Sequence, residues 1–150
     1  MKHYQITSIL SVFTVWVEYV IAASVVFLDP SNNDFPYTRI VLTWPGVLEE
    51  IHRLWAAIII VVFIANIVFA FTARRRNDAP SRLFEMSAVA FVLLLLQASF
   101  GAITIWNYDY PPFVVMHEGN AGLLLLFTAF LAAYALYQQP PNPRPIRNTQ

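Results

Sequence analysis

Glu49, Glu50, His52 and Arg53 stand together in "WPGVLEEIHRLWAAIIIVVFIANIVFAF", residues 44–71, at the head of an otherwise apolar run. Glu49 lies three residues before His52, so on a helix the two share a face. A carboxylate there can orient the imidazole, accept a proton, or meet the positive end of the helix dipole. The last explanation covers Glu50 equally well. Arg53 can snorkel to the outer interface or pair with an anionic group such as a haem propionate. A second histidine, His117, heads another apolar run. Two imidazoles facing each other across a bundle can supply both axial positions of a haem iron, or one can hold a haem while the other serves the reaction. His52, His117 and Glu49 could also make a three-ligand zinc site. Two interfacial histidines bonded to neighbours or water are the third reading, and the residues alone leave all three open. His3 lies in the N-terminal segment and carries no function in this reading.

The chain that must position these groups has 150 residues, enough for one domain, and only 12% of them are charged. A soluble domain carries about 25%, so the soluble globular class is a poor fit. The formal net charge is zero, which gives no footing for nucleic acid or an acidic substrate. The absence of cysteine removes disulfides, thiolate catalysis, zinc–thiolate and iron–sulfur sites together.

A membrane-spanning helix needs about 20 mostly apolar residues. Four segments qualify, near Gln5–Leu28, Val47–Ala73, Leu83–Trp106 and Phe113–Tyr137. All ten prolines fall outside these spans or at their edges, where proline does not break a hydrogen-bond ladder. The first span is too long for the usual h-region of a signal peptide and carries Glu18, so it reads as a retained span. Lys2, Arg74, Arg75, Arg76, Arg82, Arg144 and Arg147 fall on one side of the membrane, and only Arg39 and Arg53 on the other. The positive-inside rule then makes both termini and the second loop cytoplasmic. Trp44, Trp55, Trp106, Tyr108 and Tyr110 read as an outer interfacial belt. The expected organisation is a transmembrane domain over residues 1–137 and a proline-rich cytoplasmic tail over 138–150.

Ionisable and polar residues in a membrane helix face the bundle interior. Thr7, Ser11, Thr14, Glu18 and Ala22 form one stripe on the first span. Glu49, His52, Ala56, Ile59, Phe63 and Asn66 form one on the second. Met86, Ala90, Gln97, Gly101 and Thr104 form one on the third, and His117, Ala121, Leu124 and Thr128 one on the fourth. The architecture expected from this is an all-α, up-down four-helix membrane bundle with the stripes inward. Asn66, Gln97 and Thr128 read as interhelical hydrogen-bonding glue. Glu18 must be protonated, paired or open to an internal polar cavity, since its charged form costs about 2.5 kcal/mol or more inside a membrane.

"EEIHR" resembles the E-x-x-H-R motif of the heme A synthase family. A second stretch, "LQASFGAITIWNYDYPPFVVMHEGNA", residues 96–121, is similar to that family's Gln, Gly and Thr on one helix, then Pro, then a helix-starting His with small residues after it. The matching positions are Gln97, Gly101, Thr104, Pro112, His117 and Ala121, and "TWPG" before the second span resembles the family's Trp-Pro loop. The usual member has eight helices in two four-helix halves; this chain resembles the compact half-length form, which implies association of copies. The family's glycine-rich segment and loop cysteines are absent from "AASVVFLDPSNNDFPYTRIVL".

The resemblance implies oxidation of the C8 methyl of heme O to a formyl group, giving heme A, with dioxygen, externally delivered electrons and a haem b cofactor. By position it makes His52 and His117 haem iron ligands and Glu49 the acidic residue near the reacting porphyrin edge, while Arg53 or Arg39 would meet the propionates. It implies a prokaryotic cytoplasmic membrane location. The implied partners are lipid, heme O and heme A, a second copy, a haem-copper oxidase and heme O synthase. Two other readings stay open: a haem b electron-transfer protein with the same ligands, and an assembly or accessory subunit of a respiratory oxidase complex.

Overall fold

The computed structural model describes residues 2–28, 43–107 and 109–138. They form four α-helices in chain order: α1 His3–Leu28, α2 Trp44–Arg75, α3 Ser81–Trp106 and α4 Pro111–Tyr137. Each is long and apolar enough to cross a membrane, since an α-helix rises about 1.5 Å per residue against a hydrocarbon core of about 30 Å. The chain is an all-α, four-helix multi-pass membrane bundle. Arg39 and the tail beyond Gln138 lie outside the described residues.

The helices extend past the apolar runs that announce them. α4 opens two residues before the expected start because Pro111 and Pro112 occupy its first turn, where a missing N–H costs nothing and φ is already helical. α2 continues through Arg74 and Arg75, cations that complement the negative end of the helix dipole. It closes with Asp78 N–H donating to the Ala73 carbonyl and Asn77 N–H to that of Arg74. That paired closure needs a left-handed residue, and Asn77 supplies it at φ 55°.

α1 packs on α2 and α4, and α3 packs on the same two, while α1 does not touch α3 nor α2 touch α4. The cross-section is therefore a square with α2 and α4 on one diagonal. Lys2 Nζ donates to the Asp78 carbonyl (2.8 Å) and Gln5 Nε2 to the Ala135 carbonyl (3.0 Å). These bonds hold the start of α1, the α2–α3 turn and the end of α4 at one end. Arg74, Arg75, Arg76 and Arg82 share that end, the end that the positive-inside rule expects on the cytoplasmic side.

The inward stripes are as the sequence sets them. Thr7, Ser11, Thr14, Glu49, Ile59, Phe63, Asn66, Ala90, Thr104, Leu124 and Thr128 are all buried. Asn66 acts as glue: its Oδ1 accepts from the Thr7 hydroxyl (3.2 Å) and the Ser8 hydroxyl (3.3 Å). Phe13, Trp16, Val61, Leu126 and Phe130 are more than half exposed on the outside. So much apolar surface is a liability in water and the expected lipid contact in a bilayer. Trp55 departs from the interfacial-belt expectation. It lies about three turns into α2, partly buried against the core, and its indole N–H donates to the Thr14 carbonyl (2.9 Å). It therefore ties α2 to α1 instead of sitting at the water boundary.

The apolar core occupies only half of the bundle's length. Counting from the outer end of each helix, the first buried apolar side chains are Val15, Ile59, Leu94 and Leu124. They lie 13, 15, 12 and 13 residues from Leu28, Trp44, Trp106 and Pro111 respectively. Above that level, the buried side chains among the described residues are polar: Glu49, Thr104 and Asn120.

Candidate functional site

The outer half of the bundle holds every site residue proposed from sequence that the structure describes. His52 stands eight residues past the start of α2 and His117 six past the start of α4. That puts each about two turns into its helix, not one, because both helices begin earlier than their apolar runs. The two imidazoles are thus at similar depth on the diagonal pair of helices.

His52 turns its Nδ1 toward α1, where Glu18 Oε1 lies 3.1 Å away. The contact lacks hydrogen-bond alignment, and His52 Nδ1 and Glu18 Oε2 are both buried without a hydrogen-bond partner. Glu18 thus has a neighbour within reach on α2. His52 Nε2 makes no hydrogen bond among the described residues.

His117 lies against α3. A Cβ built on Gly101 would stand 3.0 Å from His117 Cε1, so the glycine is what admits the ring. The Gln97 amide nitrogen is 3.2 Å from both His117 Nδ1 and Nε2. Equal distances put it across the ring, off the in-plane lone-pair line of either nitrogen, so it touches the imidazole without a well-aimed hydrogen bond. Gln97 is steadied in turn by Asn120, whose amide donates to Gln97 Oε1 (2.8 Å) and to the Leu93 carbonyl (3.0 Å). Gln97 is therefore glue, as its sequence context suggests, and also the floor under His117.

Glu49 is buried and pairs with Arg53 Nη2, while Glu50 reaches Arg53 Nη1 at 3.4 Å. In the "EEIHR" cluster one guanidinium thus sits between two carboxylates, one turn ahead of it on the same helix. The bland reading of Glu49 as a mere helix-dipole charge does not account for its burial and pairing. Arg53 would have to share its charge to meet a propionate. No three His, Cys, Asp or Glu side chains converge as a metal-binding group among the described residues, which counts against the zinc alternative.

Sequence reasoning missed Asn120, which supports Gln97, and the contact between Glu18 and His52. Asn120 was available from its spacing: it lies three residues after His117, on the same helix face, and is polar inside a span. The contact between Glu18 and His52 joins two helices and has no local signal.

A family model for cytochrome oxidase assembly proteins matches residues 7–129, which takes in His52, His117, Glu18 and Glu49, all of α2 and α3 and most of α1 and α4. The chain belongs to that family. As a cytochrome oxidase assembly protein it has a role in oxidase assembly and, at the level of the family, in heme A synthesis. No curated protein and no solved structure matches the chain.

Proposed function

We propose that this cytochrome oxidase assembly protein is a half-length heme A synthase that converts the C8 methyl of heme O to a formyl group. The observation that carries the proposal is the interruption of the apolar core at mid-bundle, with two histidines at one level on the diagonal helices above it. A porphyrin is broad, flat and apolar with two anionic propionates. It suits a bundle half whose own side chains leave the apolar packing incomplete and whose rim is wet.

The residues present fit a haem. His52 Nε2 has no competing hydrogen bond among the described residues, His117 is touched by the Gln97 amide from across its ring, and Gly101 gives the second ring its seat. His52 and His117 would hold the iron, and bound haem b would supply the redox chemistry for the dioxygen-dependent oxidation. Glu49 would be the group that takes a proton in the reaction, its carboxylate held by Arg53. Arg53 sets where that carboxylate points and shares its charge with Glu50. Gln97 and Asn120 keep the His117 ring from rotating out of line.

The test is co-expression with a source of heme O under adequate electron supply, followed by haem extraction and chromatography. Heme A or its alcohol intermediate is the expected product. Bound haem b with neither product supports the electron-transfer reading, and no haem at all supports a purely structural assembly subunit. A finer probe is Gly101→Ala, whose new methyl presses on the His117 ring. It is expected to weaken haem binding by about tenfold, the lower end of what losing a ligand's support costs. Helical content by circular dichroism should stay unchanged.

A further inference from the structure

We infer that Glu18 is a positioning residue for His52: its carboxylate accepts the Nδ1–H of the imidazole and so leaves Nε2 as the nitrogen presented to the bundle interior. Glu18 lies outside both stretches that carry the family resemblance. It comes from α1, whereas the "EEIHR" cluster is on α2. Three observations converge on it. Glu18 Oε1 stands 3.1 Å from His52 Nδ1. Both side chains are mostly enclosed, with 16% of Glu18 and 30% of His52 exposed. His52 Nδ1 and Glu18 Oε2 are buried with no hydrogen-bond partner.

A buried polar atom without a partner costs free energy that grows as the surroundings become less polar. The partner nearest His52 Nδ1 is this carboxylate, and a small turn of the ring or of the carboxylate brings the N–H into line. The two nitrogens of an imidazole point outward in nearly opposite directions, so an Nδ1–H aimed at α1 sends the Nε2 lone pair away from α1. A carboxylate on the far nitrogen is the arrangement that fixes tautomer and ring orientation in histidine metal ligands and raises their basicity. On the protein without haem, the inference concerns only the proton and the orientation of one ring. Its extension to a haem ligand rests on the function proposed above.

The experiment separates the two. The chain has three histidines, so ring-labelled ¹⁵N-histidine gives three readable spin systems, assigned by His3→Gln and His117→Gln. In haem-free protein in alkaline detergent solution, above the usual imidazole range, His52 is expected as the Nδ1–H tautomer. Glu18→Ala should shift it to the Nε2–H form that free histidine favours in water. Glu18→Gln should keep Nδ1–H, because the amide oxygen still accepts, which shows the residue positions the ring and guards against a variant that fails to fold. An Nε2–H or doubly protonated His52 in the wild type overturns the inference, as does an unchanged tautomer in Glu18→Ala. With haem bound, Glu18→Gln should raise the midpoint potential, because a neutral acceptor leaves the ligand less basic, and Glu18→Asp should restore part of the difference. A wild-type chain that binds no haem ends the functional reading, while the tautomer measurement still decides the role of Glu18.

Discussion

His52→Ala and His117→Ala are each expected to strip most of the haem b from the purified protein, while His3→Ala leaves it in place. The pyridine haemochrome spectrum of detergent-purified protein gives haem type and amount together. The expected loss exceeds the 10–100-fold in affinity that removing an outer-shell partner of a metal ligand commonly costs, because here the ligand itself goes. The geometry sharpens the expectation. Each imidazole is held by a different helix, α1 through Glu18 for His52 and α3 through Gly101 and Gln97 for His117. Neither histidine contributes to the buried apolar core, so either ring can be removed without opening a hole there. Loss of haem in these variants therefore reports ligation and not collapse. Free imidazole added to either alanine variant should recover part of the haem, since it can occupy the space the side chain leaves. Haem content unchanged in both variants would sink the assignment of these residues as ligands.

The fold was legible because membrane physics leaves few choices. Four apolar runs, prolines confined to their edges and arginines gathered on alternate connections set the number of spans and the direction expected of them before any packing is known, though not their exact ends. The polar stripes then set each helix's rotation, and Thr7, Phe63, Ala90 and Thr128 are buried as their stripes require. Legibility ended where two helices meet. Whether Glu18 pairs, and with which partner, depends on the relative height of α1 and α2, which no local pattern encodes. Trp55 shows the same limit. An aromatic near the end of an apolar run looks interfacial, and only the length that α2 adds before Val47 reveals that it sits inside and bonds to α1. The incomplete apolar core was also out of reach. It is a property of four helices at one level, where stripes that read as merely small or polar combine to leave the outer half with apolar side chains, Trp55 among them, that are at most partly buried.

Glu49→Gln is expected to keep haem and lose conversion. Glutamine preserves the shape and the hydrogen-bonding reach of the side chain and removes only its ability to hold a charge and take a proton. Loss of one partner from a buried pair is usually severe, about 3–5 kcal/mol, because the other charge is stranded. Arg53 is not stranded here. Its Nη1 still faces Glu50 at 3.4 Å and about a fifth of its side chain reaches solvent, so the penalty should be much smaller and the bundle should form. The activity is a different matter. A positioned acid or base contributes about 10²–10⁴-fold, and a fall of that size in heme A formed per haem-loaded protein is the expected result of the co-expression assay. Arg53→Gln separates the carboxylate from its support. It should retain measurable conversion with the carboxylate less well held, whereas the double variant should be no worse than Glu49→Gln alone, because the two act as one unit. Normal heme A yield in Glu49→Gln would reduce Glu49 to an anchor for Arg53. Loss of haem along with conversion would make it a structural element of the rim. Only retained haem with lost product places the carboxylate at the reaction, since glutamine keeps the side chain's shape but can neither hold its charge nor take a proton.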